Sequence, residues 1–126
     1  MTTCPFCDLP KDRIIAEDGP CVAFHDRYPV SKGHTLIIPK RHIASFREMT
    51  PEEWAAIHRL ACAITKRMQE EDERISAFNL GINDGPAAGQ SVPHAHVHLI
   101  PRRSGDVPKP RGGVRGVIPG KADYPG

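Results

Sequence analysis

Three histidines stand at alternate positions in His94-Ala95-His96-Val97-His98-Leu99-Ile100, the densest chemistry in the chain. In an extended strand that spacing puts the three imidazoles on one face, at steps of about 6.6 Å, with Ala95, Val97 and Leu99 on the other. A row of this kind can bind a metal or a phosphate. A single histidine on such a face is more often a hydrogen-bonded structural residue, whereas three in register point to function. Gly89-Gln90-Ser91-Val92 comes directly before the row. Its glycine lets backbone approach a ligand closely, and consecutive N–H groups with a serine hydroxyl can cradle a phosphate. No Gly-Lys-Ser/Thr ending follows, so a nucleotide-binding P-loop is not supported.

A second centre is Cys4-Pro5-Phe6-Cys7. Zinc favours four tetrahedral sulfur and nitrogen ligands, and a Cys-x-x-Cys supplies two of them on one turn, leaving two for histidines. The rival reading is a redox pair, weakened because no strand precedes the motif and no helical pattern follows it. Cys21 and Cys62 lie in apolar settings and are expected to be inert core thiols.

The elements that must carry these groups are legible in outline. Ile14 to Ala16, the turn Asp18-Gly19-Pro20 and Cys21 to Phe24 predict a β-hairpin. His34 to Ile38 is an apolar, β-branched strand stopped by Pro39, which leaves His42 just past its end. Thr50-Pro51-Glu52-Glu53 combines a capping hydroxyl, a proline at the first helical position and a glutamate at the third. From there Trp54, Ile57, Ala61, Ile64 and Met68 recur at helical steps, predicting an amphipathic helix to about Glu71 whose apolar face covers a sheet. Strand character returns at Ile75 to Ile82, and again after Pro93 through Ile100. Strands on both sides of one long helix predict an α+β fold with a mainly antiparallel sheet.

The 126 residues suffice for one core. We assign residues 1–106 to one domain and 107–126 to a tail rich in Pro, Gly and Arg that forms no separate domain. Seventeen basic residues against fifteen acidic give a formal charge of +2, no mandate for nucleic acid or a membrane. The amino-terminal residues lack a basic stretch followed by an apolar run, so a cytoplasmic protein is expected. Cys-x-x-Cys with the basic tail residues Arg102, Arg103, Lys109, Arg111 and Arg115 leaves a zinc-stabilised nucleic-acid-binding module as a competing reading.

The motif H-A-H-V-H-L-I resembles the signature of the histidine triad family at every position. The likeness extends to Phe24-His25-Asp26, to Gly33-His34-x-Leu36-Ile37-Ile38-Pro39-Lys40-x-His42, and to Asp84-Gly85-Pro86-x-Ala88-Gly89-Gln90-Ser91-Val92. Asp84-Gly85-Pro86 and Ile100-Pro101-Arg102-Arg103-x-Gly105-Asp106 are most similar to the dinucleoside polyphosphate hydrolase, or fragile histidine triad-like, branch. Phe24-His25-Asp26 is equally similar to the purine nucleoside phosphoramidase branch.

The resemblance implies a nucleotide hydrolase or transferase in which His96 attacks the α-phosphate, with its second ring nitrogen protonated and bonded to a backbone carbonyl. It implies that His98 donates to phosphate oxygens, that Asn83, Gln90 and Ser91 hold the α-phosphate or the bridging oxygen, and that Asp26 accepts from the ribose hydroxyls. Phe6 and Phe24 would flank the base, with core packing as their alternative, and His34 would buttress the triad from beneath. His25 and His58 read as structural or exposed. Zinc-containing bacterial members imply a structural Zn2+ on Cys4, Cys7, His42 and His94. A homodimer with one continuous sheet is implied as well, with a nucleotide as substrate and neither nucleic acid nor membrane as partner. A nucleotide-sensing scaffold is the remaining alternative, disfavoured by an intact His96.

Overall fold

The computed structural model describes residues 4–125. The hairpin forms as strands β1 (Ile14–Asp18) and β2 (Cys21–His25), joined across Gly19-Pro20. Strand β3 (Thr35–Pro39) follows, then the single α-helix α1 (Pro51–Glu71), then β4 (Ile75–Gly81) and β5 (Val97–Arg103). All strand pairs are antiparallel and the sheet order is β1-β2-β3-β5-β4. This is the α+β arrangement the sequence predicts.

Helix α1 begins where its capping residues require. The Thr50 hydroxyl accepts from the Glu53 N–H at 3.1 Å and the Glu53 carboxylate accepts from the Thr50 N–H at 2.8 Å, so two orphan donors of the first turn are satisfied reciprocally. Ala56, Ile57, Leu60, Ala61 and Ile64 bury one helix face against Cys21, Ala23, Ile37, Val97 and Leu99 of the sheet. Full burial of each large aliphatic side chain contributes about 1.5–3 kcal/mol. The opposite sheet face carries a smaller cluster, Val22, Phe24, Leu36 and Ile38, roofed by Phe6, Leu9 and Ile14. That second face holds the chemistry.

Three expectations need correction. Trp54 is 39 % exposed; together with Phe46, Ile57 and Leu80 it lines an apolar groove beside the β4 edge, so it sits on the rim of the helix's buried face. Cys62 is exposed, with its sulfur 3.4 Å from His58 Nε2 one turn earlier; Cys62 and Ala63, between the buried Ala61 and Ile64, pass over the solvent side of the helix. The triad does not lie wholly on a strand, because β5 starts at Val97. His94 and His96 sit on an approach segment outside the ladder, where the Ala95 N–H donates to the Ile43 carbonyl at 2.7 Å. Pro93 lacks the donor that a longer ladder would need.

Pro101 is tolerated inside β5 because β3 pairs only with Val97 to Leu99, so its missing N–H leaves no orphan acceptor on that side. Its carbonyl accepts from the Ser31 hydroxyl at 2.7 Å, which ties down the loop before His34. The carboxylate of Glu53, 2 % exposed, also accepts from Arg41 at 2.9 and 3.0 Å, anchoring the loop that bears His42. After β5 the chain makes one short 3-10 helix, Gly113–Val117, that contacts β4. Among the described residues, no helix is long and apolar enough to cross a membrane.

Candidate active site and metal centre

His96 is 6 % exposed and its tautomer is fixed by the main chain. Nδ1 lies 2.7 Å from the carbonyl oxygen of His94, an acceptor only, so Nδ1 carries the proton and donates it there. The lone pair is therefore on Nε2, the arrangement that a nitrogen nucleophile requires.

His98 follows from a relay of three groups. The Val30 N–H donates to His34 Nδ1 at 3.2 Å, so His34 Nε2 bears hydrogen and donates to His98 Nδ1 at 2.9 Å. His98 consequently keeps its proton on Nε2, as a donor. Adjacent imidazoles at 96 and 98 stand with ring centroids 5.0 Å apart, edge to face. One ring offers a lone pair and its neighbour a proton. Asp26 lies near this relay, with Oδ2 3.5 Å from His34 Nε2 and Oδ1 accepting from the Tyr28 N–H at 2.8 Å.

Burial above all, then the neighbouring rings of His96 and His34, pushes the His98 pKa down to about 4, against a smaller upward pull from Asp26. Burial likewise lowers His34. A histidine whose folded pKa lies below its unfolded value of about 6.5 takes up protons preferentially in the unfolded chain between those limits. Stability is thus lost as pH falls from about 6.5 towards about 4. We expect the thermal midpoint to fall through that window, and to fall less steeply in His98→Asn. Parallel curves for the two proteins would refute the assignment.

The other predicted residues divide. Asn83 joins His34 and His98 in lining one cleft. Phe6 contacts His96 edge-on at 5.2 Å and Phe24 at 5.2 Å. Phe24 is 1 % exposed and belongs to the small core beneath. Gly89 adopts φ +95° and Gly85 φ +96°, backbone that a side chain would strain. Gln90 is turned into its own loop: the amide donates to the Ala44 and Val92 carbonyls at 2.8 and 3.1 Å, and its oxygen accepts from the Gly85 N–H at 2.8 Å. Both amide hydrogens are engaged there. Ser91 is exposed. His25 and His58 are exposed, as expected.

On the far side of His96, four donors converge. The sulfurs of Cys4 and Cys7 lie 3.4 and 3.5 Å from His94 Nδ1, and Cys7 Sγ lies 3.3 Å from His42 Nδ1. All four ligand atoms fall within 4.8 Å of one another. A tetrahedral zinc with bonds of about 2.3 Å to sulfur and about 2.05 Å to nitrogen separates the two atom types by about 3.5 Å, so the donor set fits. His94 Nε2 donates to the Pro39 carbonyl at 2.8 Å, which frees Nδ1 to face the sulfurs and supplies an outer hydrogen bond. Desolvation and then the Cys4 sulfur push the Cys7 thiol up from its ordinary value, opposite to the needs of a redox nucleophile.

The sequence profile of the HIT domain matches residues 10–105. The chain belongs to the histidine triad family. An uncharacterised HIT-like protein of Mycoplasma genitalium is 36 % identical over 105 residues, covering 80 % of this chain and 74 % of that one. The bis(5'-nucleosyl)-tetraphosphatase (asymmetrical) of Schizosaccharomyces pombe is 39 % identical over 87 residues, 67 % of this chain; the match spans less than half, 46 %, of the yeast enzyme. Among solved structures, a Zn-bound histidine triad family protein from Mycobacterium smegmatis superposes with a TM-score of 0.73 at 37 % identity, covering 82 % of this chain and 78 % of that one. The likeness to relatives named as hydrolases, a HIT family hydrolase from Legionella pneumophila among them, supports nucleotide hydrolysis by this histidine triad protein. The backbone carbonyl expected at His96 is that of His94; the groups that sequence reasoning missed are the Pro39 carbonyl and the Val30 N–H, which no residue type marks.

Proposed function

We propose that this histidine triad protein cleaves at the α-phosphate of dinucleoside polyphosphates, such as diadenosine tetraphosphate, or of related nucleotide conjugates. The observation that carries the proposal is the His96 Nδ1–H bond to the His94 carbonyl at 2.7 Å, which leaves Nε2 as the nucleophile. Nε2 attacks phosphorus and forms a P–N bond while the bond to the leaving group breaks and its electron pair departs with that group. Water then attacks the same phosphorus, the P–N bond breaks, the electron pair returns to Nε2, and a nucleoside monophosphate leaves. His98, through Nε2–H, offsets charge that develops on the phosphate oxygens; a preorganised donor of this kind contributes about 3 kcal/mol. His34 is a positioning residue that holds the His98 tautomer. Asp26 serves the ribose and Phe6 the base, while Asn83, Gly89 and Ser91 supply the phosphate loop; Gln90 joins them only by releasing the Ala44 or Val92 carbonyl.

Cys4, Cys7, His42 and His94 would hold a structural zinc, cross-linking the amino-terminal segment to the approach segment of the triad. With four protein ligands it has no open position for water. The division into a domain of residues 1–106 and a carboxy-terminal tail is retained. The apolar groove of Phe46, Trp54, Ile57 and Leu80, beside the unpaired edge of β4, supports a homodimer through α1 and a continued sheet.

A parallel assay tests the substrate reading. Purified protein is given diadenosine tetraphosphate, adenosine phosphoramidate and an aminoacyl-adenylate mimic, and AMP release is measured. The expected result is the highest kcat/KM on the polyphosphate. Preference for the phosphoramidate would transfer the protein to the purine nucleoside phosphoramidase branch, a reading the Phe24-His25-Asp26 stretch supports.

A further inference from the structure

The carboxy-terminal loop lies outside the matched domain span of residues 10–105, and it is folded. Lys109 pairs with Asp123 at 2.6 Å, closing the loop on itself. The Arg111 and Arg115 guanidinium groups lie over the Tyr124 ring, 4.4 and 4.6 Å from its centroid. Gly112, at φ +91°, passes so near Ala122 that a Cβ there would sit 1.7 Å from its carbonyl oxygen; only glycine permits the closure.

This loop stands over the triad face of the sheet. Its backbone at Gly113 comes within reach of the Asn79 side chain on β4. Between loop and sheet runs a cleft of about 820 Å³, walled on one side by His34, His98 and Asn83 and on the other by Lys109, Arg111 and Val114. That size accommodates a substantial ligand.

Charge is distributed unevenly along the chain. Residues 107–126 hold four basic side chains, Lys109, Arg111, Arg115 and Lys121, against Asp123 alone, while residues 1–106 hold thirteen basic against fourteen acidic. The positive charge of the molecule is therefore carried by the loop, and two of its cations line a cleft that begins at a phosphate-facing histidine. Cations gathered along a cleft raise the local concentration of an anionic ligand there.

We propose that the folded carboxy-terminal loop is the leaving-group wall of the active site, selecting substrates whose leaving group is itself a polyphosphate. Lys109 and Arg111 meet that group's charges after the phosphate chain passes His98. The exposed Lys109–Asp123 pair is weak, so a phosphate oxygen can take the place of the Asp123 carboxylate. This inference rests on the α-phosphate cleavage proposed above.

Two full-length variants test it: the double substitution Lys109→Ala with Arg111→Ala, and Gly112→Ala, which opens the loop without removing a charge. The readout is the ratio of kcat/KM for diadenosine tetraphosphate to that for adenosine phosphoramidate, whose leaving group carries no phosphate. We expect the ratio to fall at least about tenfold in both variants, and its decline with added salt to flatten in the double variant. A ratio within about twofold of wild type in both variants overturns the inference while leaving the cleavage chemistry standing. Calorimetric titration with sodium tripolyphosphate separates the two readings. Binding lost in the double variant supports the anionic wall even if neither nucleotide is turned over, an outcome that would sink the cleavage reading alone. Equal binding by wild type and double variant counts against the wall.

Discussion

Substituting His96 with Asn lowers turnover of diadenosine tetraphosphate by at least about four orders of magnitude, on the order of 5 kcal/mol of barrier. The size of the effect follows from what the side chain supplies. An amide can keep the hydrogen bond to the His94 carbonyl, 2.7 Å from Nδ1 in the native chain, but it offers no nucleophilic nitrogen at the Nε2 position. The variant should therefore fold and retain its metal while losing the covalent step. Rapid quenching of the wild type should trap a nucleotide on His96, and the same quench of the variant should trap none. Turnover within about tenfold of wild type would exclude His96 as the nucleophile.

Loss of the proposed zinc has the second large expected effect, and it falls on stability. Cys4→Ala, or prolonged treatment with a strong chelator, should lower the thermal midpoint by about 10–20 °C, equivalent to about 3–5 kcal/mol for a domain of this size. The penalty is smaller than in zinc fingers because the sheet and α1 already enclose an apolar core of their own. It is substantial because Phe6 and Leu9, which roof the second cluster, are carried on the segment that the proposed zinc would fasten. Protein purified without chelator should contain zinc at one per chain. A metal content near zero, with Cys4 and Cys7 cycling reversibly between dithiol and disulfide, would restore the redox interpretation.

How much of this was legible beforehand depends on the kind of group. The helix could be read because its signals are local: Thr50 and Glu53 cap each other within one turn, and Pro51 fixes the first helical φ. The four metal donors were named through the family likeness, since the spacing of Cys4 and Cys7 gives two ligands but cannot choose among seven histidines. The start of β5 was missed because alternation persists through His94 and His96 even where the ladder has ended; β4 stops at Gly81, opposite His98, a fact the local pattern does not carry. Trp54 was misplaced by a periodicity that marks a face but not its rim. Gln90 was assigned to phosphate from motif position, and its engagement with Ala44 and Val92 could not be foreseen, since Ala44 lies 46 residues away. The wall formed by Lys109 and Arg111 had no sequence signal beyond composition.

The same residue supplies Nδ1 to the cysteine cluster and its main-chain oxygen to His96. A single residue thus links the two centres. A shift of the backbone at residue 94 would move that oxygen and misalign the attacking ring, so ligand exchange that displaces this backbone should alter reaction rate without any solvent path or charge relay between them. An ion that prefers square-planar over tetrahedral coordination would act as a remote throttle on the enzyme, leaving every substrate contact in place.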